Sequence, residues 1–290
     1  MSIVKNKKVV WVVLAVLIGA NVLVLMVVWE LGRASVLEVI FFDVGQGDSI
    51  FIETKDGFQI LIDGGPDLSV LEKLGQEMPF YDRTIDLVIL THPDHDHIFG
   101  LLEVLKRYQV KNILWTGVVK DTDEYKEWEK LIKEEGANII IAQAGQKIIC
   151  SLQKTHDRGN SAMGIFLNIL YPLESLEGQE VEDSNDTSIV AQLVFNDNSF
   201  LLTGDISKKI ESKLIDQNQE LDSDILKVAH HGSKTSTSPE FLQAVSPETA
   251  VISVGENKWG HPAEEVLQRL EQFGIDILIT KELGDVKFSF

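Results

Sequence analysis

Three imidazoles and two carboxylates lie within six residues of the stretch Leu90-Thr91-His92-Pro93-Asp94-His95-Asp96-His97-Ile98-Phe99-Gly100. The stretch follows a predicted buried strand, residues 86–90, and precedes a predicted helix, residues 101–108. Loops between strands and helices place ligand groups on a rigid frame that is open to solvent. Imidazole and carboxylate donors without a thiolate suit Zn²⁺, Mn²⁺ or Fe²⁺. The stretch therefore predicts a metal site on an α/β scaffold, and the competing interpretation is a solvated His/Asp surface loop.

Strands and helices alternate on both sides of this stretch. We predict strands over residues 36–42, 49–53, 59–62, 86–90, 113–114, 165–170, 188–195, 200–203, 225–229, 250–254 and 276–279, and helices over 68–76, 101–108, 123–135, 206–215, 239–244 and 263–273. Two strand-rich halves with helices between them indicate a layered α/β sandwich in one soluble domain over residues 36–290. The acidic segment 174–186, rich in Gly, Ser and Asn, is predicted to be a loop.

An almost wholly apolar run over residues 9–29 precedes this domain. As a helix it would span roughly 31 Å, the thickness of a bilayer's hydrocarbon core. Lys5, Lys7 and Lys8 precede the run, so the positive-inside rule places the N-terminus in the cytoplasm and the rest of the chain outside. We therefore predict a basic stub and a single-pass signal anchor over residues 1–35. A cleaved signal peptide is the alternative, although the run exceeds the usual apolar region of about 7–15 residues.

The composition limits the kind of substrate. The chain of 290 residues carries a formal net charge of -19. This acidity disfavours a large basic groove along a phosphate backbone, because such binding depends on Lys and Arg. A small phosphorylated substrate stays compatible, since bound metal ions add positive charge. The single cysteine, Cys150, excludes an intrachain disulfide and a cysteine-based zinc knuckle.

The central stretch resembles the metallo-β-lactamase superfamily motif H-x-H-x-D-H-x-x-G, with Asp94 in place of the second histidine. In this it is similar to the β-lactamase-like domain of ComEC/Rec2-type competence proteins. Five further segments resemble that subgroup and occur in its order: residues 42–49, 61–65, 185–190, 202–205 and 226–234. The resemblance implies a four-layer αββα metallo-β-lactamase sandwich and metal-dependent hydrolysis.

The resemblance also implies two divalent metal ions, Zn²⁺ or Mn²⁺. One ion would be held by His92 and Asp94. The other would be held by Asp96 and His97. Asp205, after a predicted strand, would bridge the two ions, although it could also cap the helix that follows.

The pair His230-His231 is expected to supply the last ligand. We predict His230 as the ligand at the end of a strand and His231 as a substrate contact or proton donor, and the reverse order stays open. Asp96 could accept the proton of the attacking water. A further histidine of the superfamily is missing, and Asn185 or Asp186 could ligate weakly there or form only an Asx turn. One of the two metal sites is therefore expected to be weaker, and a mononuclear enzyme stays open.

Other residues are expected to orient the ligands or to contact substrate. They are Asp43, Gln46, Asp48, Asp63, Ser233, Lys234 and His261. Asp63 would fix a ligating histidine through its free ring N–H. The first three flank a glycine-rich turn that could be purely structural, and Lys234 could be merely solvated.

The expected function is hydrolysis of a phosphodiester outside the membrane, with single-stranded DNA or nucleotides as substrate. The chain could act beside a separate transport channel in DNA uptake or degradation. A lactonase or β-lactamase is the second enzyme interpretation. The other class is a non-catalytic, membrane-tethered module that uses its metals for interaction with a partner.

Overall fold

The N-terminal unit is a single long helix. The computed structural model describes residues 2–32, 37–152, 164–181 and 183–290, and the chain divides into two compact units, residues 1–36 and 37–290. Helix α1 covers Ser2–Gly32, and its segment Lys7–Leu25 has a mean hydropathy of 2.4. The Asn21 amide donates to the Leu17 carbonyl at 2.9 Å, so this polar group is satisfied within the helix. By length and composition α1 is a candidate membrane span.

The second unit alternates strands and helices in two halves. The first half contains β1 (Glu38–Phe41), β2 (Ile50–Glu53), β3 (Gln59–Ile62), α2 (Ser69–Glu77), β4 (Thr84–Leu90), α3 (His95–Leu105), β5 (Gln109–Trp115), α4 (Asp123–Glu135) and β6 (Asn138–Ile141). The second half contains β7 (Lys147–Leu152), β8 (Gly164–Tyr171), β9 (Val190–Phe195), β10 (Asn198–Leu202), α5 (Lys208–Asp216), β11 (Ile225–Lys227), α6 (Pro239–Val245), β12 (Thr249–Ile252), α7 (Glu264–Gln272), β13 (Asp276–Ile279), α8 (Thr280–Leu283) and β14 (Val286–Ser289). Short 3-10 turns lie at Asn185–Thr187 and Ala229–Gly232.

The strands form two mixed sheets of seven strands each. Their orders are β14-β1-β2-β3-β4-β5-β6 and β13-β12-β11-β10-β9-β8-β7. In the first sheet β3 to β6 run parallel, and in the second β10 to β13 run parallel. Parallel neighbours place their carboxyl ends at one edge of a sheet, where α/β proteins bind ligands.

Three apolar layers hold the sheets and helices together. In β1, Val39 and Phe41 belong to the layer between the two sheets, while Ile40 belongs to the layer beneath α2, α3 and α4. This alternation buries both faces of the strand. A third layer, with Leu226 and Phe241 among its members, lies between the second sheet and α5, α6 and α7. Two central sheets with helices outside confirm the predicted four-layer sandwich.

The structure corrects several predicted element boundaries. Helix α3 begins at His95 rather than at residue 101, because Asp94 has extended backbone at its N-cap position. The pattern predicted none of β6, β7 and β14, which are edge strands of the two sheets. Residue 36 of the first predicted strand lies outside the described residues.

Candidate metal centre

The candidate centre lies at the carboxyl ends of parallel strands from both sheets. His92 follows β4, Asp205 follows β10, and the histidine pair follows β11. Asp63 directly follows β3 with a φ of 57°, and His230 and His231 have φ values of 51° and 53°. Left-handed backbone at a residue with a β-carbon costs free energy, so it persists only where the surrounding structure enforces it. At these three positions the left-handed backbone turns the polar side chains sharply away from the direction of the preceding strand.

Two glycines fix the start of α3 against the turn after β3. A Cβ at Gly100 would lie 1.9 Å from the Gly64 carbonyl oxygen, and one at Gly64 would lie 2.4 Å from the Leu101 nitrogen. The Gly64 N–H donates to the His97 carbonyl at 2.8 Å. Only glycine permits this approach, so the contact positions Asp96 and His97 in the first turn of the helix.

Three imidazole Nε2 atoms converge on the Asp205 carboxylate. The Nε2 atoms of His97 and His231 each lie 3.4 Å from Asp205 Oδ2, and His231 Nε2 lies 3.3 Å from Asp96 Oδ2. Within the described part of the chain, these two Nε2 atoms, His92 Nε2 and Asp205 Oδ1 are buried without a hydrogen bond. Buried polar atoms without partners are costly. As imidazole and carboxylate donors they suit a divalent ion, so the residues present fit a metal site.

The other ring nitrogen of two histidines is held in place by an acceptor. His97 Nδ1 donates to Asp63 Oδ2 at 2.8 Å, and His231 Nδ1 donates to the Ser253 carbonyl at 2.8 Å. Each Nδ1 therefore carries a hydrogen, and each Nε2 faces the centre, where it can bind either a proton or a metal ion. Metal-binding histidines show this arrangement, which fixes the tautomer and the ring orientation. Asp63 thus has the geometry expected of it.

His92 is oriented through two hydroxyl groups. The Thr91 hydroxyl donates to Asp63 Oδ2 at 2.7 Å, so its oxygen accepts from His92 Nδ1 at 3.1 Å. The Ser188 hydroxyl lies 3.2 Å from the same nitrogen and accepts the Asp205 backbone N–H at 3.0 Å. The orientation of His92 is therefore coupled to those of Asp63 and Asp205.

The histidine pair lies in the reverse of the expected order. His231 is buried in the centre, whereas His230 has a side chain that is 26% exposed and an Nε2 atom 3.9 Å from Asp205 Oδ2. The strand β11 ends at Lys227, and the two left-handed residues that follow turn the second imidazole inward. The geometry therefore favours His231 as the ligand. His230, packed against His261 with ring centroids 5.5 Å apart, takes the position at the cleft that we expected for His231.

A buried lysine lies beneath the centre and was not predicted. Lys227 is 1% exposed, forms an ion pair with Asp48, and lies 3.7 Å from Asp205 Oδ1. Its ammonium also donates to the Gly204 carbonyl at 3.2 Å. Asp48 in turn lies 3.4 Å from His231 Nδ1. Asp48 therefore lies below the ligands and does not line the cleft.

Asp94 is held by a lysine and a serine on other loops. Lys120 Nζ and the Ser184 hydroxyl both bond to Asp94 Oδ1. Asp94 Oδ2 stays on the side of His92, 4.0 Å from its Nε2 atom. Ser184 begins the segment in which the superfamily offers a further histidine. A hydroxyl and an ammonium, both from other parts of the chain, thus contact Asp94 directly.

Carboxylates dominate the electrostatics of the centre. Burial raises the pKa of Asp96 and Asp205, but the facing imidazolium groups outweigh it and lower both pKa values. Burial lowers the pKa of His231, but Asp205 and Asp48 outweigh it and raise this pKa to about 10. Asp205 in the same way raises the pKa of His97. The centre therefore binds positive charge strongly, whether as protons or as metal ions.

The centre opens into a cleft of about 760 Å³. This volume falls in the range of about 300–1,000 Å³ that is usual for ligand sites. Three residues expected to contact substrate or to bind a metal ion weakly, Gln46, Asn185 and His261, line the cleft. Lys120 and Trp259 line it as well.

Two residues expected near the metals are engaged elsewhere. Asp43 accepts the Gly45 N–H at 3.3 Å, and its own N–H donates to Asp285 Oδ1 at 2.7 Å, so it belongs to the turn after β1. Asp186 accepts the Ser207 hydroxyl at 2.5 Å at the start of α5. Neither is among the described residues that line the cleft. Both therefore have structural roles here.

Ser233 and Lys234 lie in a second hollow next to the cleft. The hollow has a volume of about 480 Å³, and Trp259 and His261 line it from the other side. The Ser233 hydroxyl pairs with the Thr235 hydroxyl at 2.9 Å. Trp259 and His261 line both spaces, whereas Ser233 and Lys234 line only the hollow.

Comparisons with known proteins agree with the fold. The metallo-beta-lactamase superfamily model matches residues 42–133 and 170–256, more than half of the chain. "ComE operon protein 3" of Bacillus subtilis (strain 168) is 32% identical over 273 residues, covering 87% of this chain and 33% of that protein. "Recombination protein 2" of Haemophilus influenzae is 30% identical over 257 residues, covering 86% of this chain and 28% of that protein. The chain thus spans about a third of the length of these curated relatives.

Two solved structures show the same fold. The metallo-beta-lactamase fold protein YhfI from Bacillus subtilis has a TM-score of 0.56 at 13% identity and covers 88% of this chain and 100% of its own. Igni18, a metallo hydrolase from Ignicoccus hospitalis, has a TM-score of 0.54 at 18% identity and covers 88% of this chain and 99% of its own. Together with the superfamily model, the two-sheet sandwich and the His/Asp centre lead to one conclusion: this chain belongs to the metallo-beta-lactamase superfamily of metal-dependent hydrolases.

Proposed function

We propose that this chain is a phosphodiesterase that cleaves short or single-stranded nucleic acid. The observation that carries the proposal is the set of unpaired Nε2 atoms and the Asp205 carboxylate at one end of an open cleft. Structural zinc sites are closed, whereas hydrolysis needs an open side for the substrate. Relatives named "Competence protein ComA" and "Recombination protein 2" favour DNA. The net charge of -19 favours a short or flexible strand over a long duplex.

Two neighbouring positions would hold divalent ions, Zn²⁺ or Mn²⁺. The donors of the first are Asp96, His97, His231 and Asp205. The second keeps His92 and one oxygen of Asp94, since Lys120 bonds to the other oxygen. When bound, such ions activate water and polarise the phosphoryl oxygens. We expect the second position to bind its ion more weakly, because the ammonium of Lys120 already neutralises charge on the Asp94 carboxylate.

The protein's own groups would orient the phosphodiester and handle protons. Asp96 faces the cleft as an ionised carboxylate, so it can accept a hydrogen bond from the attacking water. His261 has a pKa lowered by burial and by the nearby His230, so it is neutral near pH 7 and can hydrogen-bond to substrate. Lys120 supplies positive charge at the wall of the cleft.

The second unit would act outside the membrane, held by α1. Lys7 and Lys8 before the apolar segment favour a cytoplasmic N-terminus. A separate transport channel would then deliver or receive the strand. A cysteine introduced at the exposed position Asp121 should react with a membrane-impermeant maleimide on intact cells, while the buried Cys150 should react slowly. Protection of that cysteine until the cells are lysed would show the opposite orientation.

Hydrolysis by the full chain in detergent tests the activity. The protein is stripped with a chelator and assayed with bis-(p-nitrophenyl) phosphate, single-stranded DNA and nitrocefin, with Mn²⁺ or Zn²⁺ restored. We expect metal-dependent cleavage of the phosphodiesters and none of nitrocefin. Asp96→Asn should lower the rate of hydrolysis by at least about 100-fold, because it removes a metal-binding carboxylate that is also a proton acceptor.

Asp121→Asn provides a matched control. It makes the same chemical change at an exposed carboxylate that pairs only with Lys126 on the surface, so the rate should not change. If the chain binds Mn²⁺ but cleaves no phosphodiester, the proposal is wrong and a non-catalytic binding module takes its place. Cleavage of nitrocefin alone would favour a β-lactamase.

A further inference from the structure

An exposed tryptophan stands at the mouth of the cleft. Trp259 is 62% exposed and lines both the cleft and the neighbouring hollow. Tryptophan is seldom left so exposed without a use, because its large ring gains free energy from burial. The ring of His261 lies beside it at an interplanar angle of 26°. Both rings line the cleft and the hollow.

The loop that carries this ring is fixed by one side chain. The Asn257 amide donates to the carbonyls of Gly255 and His261 at 2.9 and 2.8 Å. Its Oδ1 accepts the backbone N–H groups of Trp259 and His261 at 3.1 and 3.0 Å. All four hydrogen bonds lie within seven residues of chain. The backbone that carries the exposed ring is therefore already positioned, so a ligand that stacks on the ring loses little loop entropy.

Basic side chains lie near the ring. Lys258 Nζ lies over the ring, 5.4 Å from its centroid, and Lys234 lines the hollow together with two glutamates. Lys120 lies across the cleft, beside Asp94. Bases stack on aromatic rings while neighbouring basic side chains contact the backbone, which is how single strands are bound without sequence preference.

We propose that Trp259 is a stacking platform for the base next to the scissile phosphodiester. The inference rests on the proposed function and narrows it to substrates that carry an unpaired base. A duplex keeps its bases stacked inside, so only a single strand or a free nucleotide end can use the platform. Trp259 would thus determine substrate choice without taking part in bond cleavage.

Binding is measured with the full chain in detergent, in the Asp96→Asn background to suppress turnover. Two fluorescent oligonucleotides of equal length and charge are compared, one of thymidines and one of abasic sites, with Mn²⁺ present. We expect the chain to prefer the base-bearing strand. Trp259→Ala should lower that preference by about 5- to 100-fold, while Trp259→Phe should retain most of it.

Two further variants separate stacking from a general effect on structure. Phe80→Ala removes another exposed ring, which is 76% exposed and does not line the cleft, so the preference should not change. Asn257→Ala keeps the indole but frees its loop, so the preference should fall partway. In turnover assays, Trp259→Ala should raise KM for the base-bearing strand far more than it lowers kcat.

The outcomes distinguish the two proposals. Equal affinity of Trp259→Ala and its parent for the base-bearing strand would overturn the stacking platform, and so would an equal loss for both strands. Phosphodiester hydrolysis by the wild type would still support the proposed function in those cases. If the chain prefers the base-bearing strand through Trp259 but cleaves no phosphodiester, the stacking platform is supported and the proposed hydrolase activity is wrong.

Discussion

Removal of the buried cation beneath the centre should cost several kcal/mol of stability. In Lys227→Met, the ion pair with Asp48 is lost and Asp205 loses a positive charge 3.7 Å away. A charge pair at about 4 Å is worth about 4 kcal/mol at an effective dielectric constant near 20. Breaking a buried ion pair from one side costs about 3–5 kcal/mol, because the other charge stays buried without a partner. We therefore expect the free energy of unfolding to fall by about 3–5 kcal/mol.

Denaturant unfolding of the full chain in detergent measures this loss. The near-ultraviolet circular dichroism of the buried Trp115 and Trp128 reports the packing of the second unit. Lys111→Met is the matched control, since Lys111 is 57% exposed and pairs with Asp86 at 2.7 Å on the surface. The free energy of unfolding of Lys111→Met should fall by no more than about 1 kcal/mol.

A double variant and a metal titration test the electrostatic cause. Asp48→Asn together with Lys227→Met leaves no unpaired charge at that pair, so it should be more stable than Lys227→Met alone. Saturating Mn²⁺ should reduce the deficit, because bound ions stabilise the native state and supply positive charge. If Lys227→Met unfolds at the same denaturant concentration as Lys111→Met, the lysine is not needed to neutralise the carboxylates, and the reasoning fails.

Other predictions concern metal affinity and packing. Asp63→Asn should weaken Mn²⁺ binding by about 10- to 100-fold in a chelator competition, because it removes the carboxylate that orients His97; equal affinity would contradict this role. Gly100→Ala should destabilise the fold by about 1–3 kcal/mol or more in denaturant unfolding, since its Cβ would lie 1.9 Å from a backbone oxygen. Gly75→Ala, whose Cβ would meet no described atom within 4 Å, should instead stabilise by about 0.5–1 kcal/mol, and equal effects of the two would refute the packing argument. Metal affinity should rise about tenfold per pH unit between pH 6 and 8 for each proton displaced, because the raised pKa of His231, about 10, keeps it protonated there; a flat titration would show that no proton is displaced.

The fold and most of the donors could be predicted because they obey local rules. Buried strands show continuous apolar runs, and turns show glycine. The stretch around His92 concentrates its donors within six residues, so its chemistry is visible without any knowledge of tertiary contacts. The edge strand Asn138–Ile141 was missed although three of its four residues are isoleucines, because so short an apolar run does not by itself distinguish a strand.

The residues that support the donors depend on distant contacts. Lys120 and Ser184 lie 26 and 90 positions from Asp94 in the chain, and no local pattern encodes such a pairing. One feature of the sequence did indicate a role for Lys227, since it belongs to the short buried strand Ile225–Lys227. A charged residue in such a strand needs a buried partner, so its position alone indicated an acidic group nearby. The order of the histidine pair depends on two left-handed residues that neither spacing nor composition indicates.

Two kinds of feature that break local rules, left-handed backbone and buried polar atoms without partners, meet at the centre. Asp63, His230 and His231 adopt left-handed backbone without being glycine, and in the described residues three Nε2 atoms beside them lack partners. In an ordinary core each feature would only cost stability. An ion bound there would use the unpaired lone pairs, and the strained backbone is what aims two of the side chains at them. At the centre the chain thus loses some stability in exchange for preorganised metal donors. The close glycine contact under α3 and the buried Lys227 ion pair offset that loss.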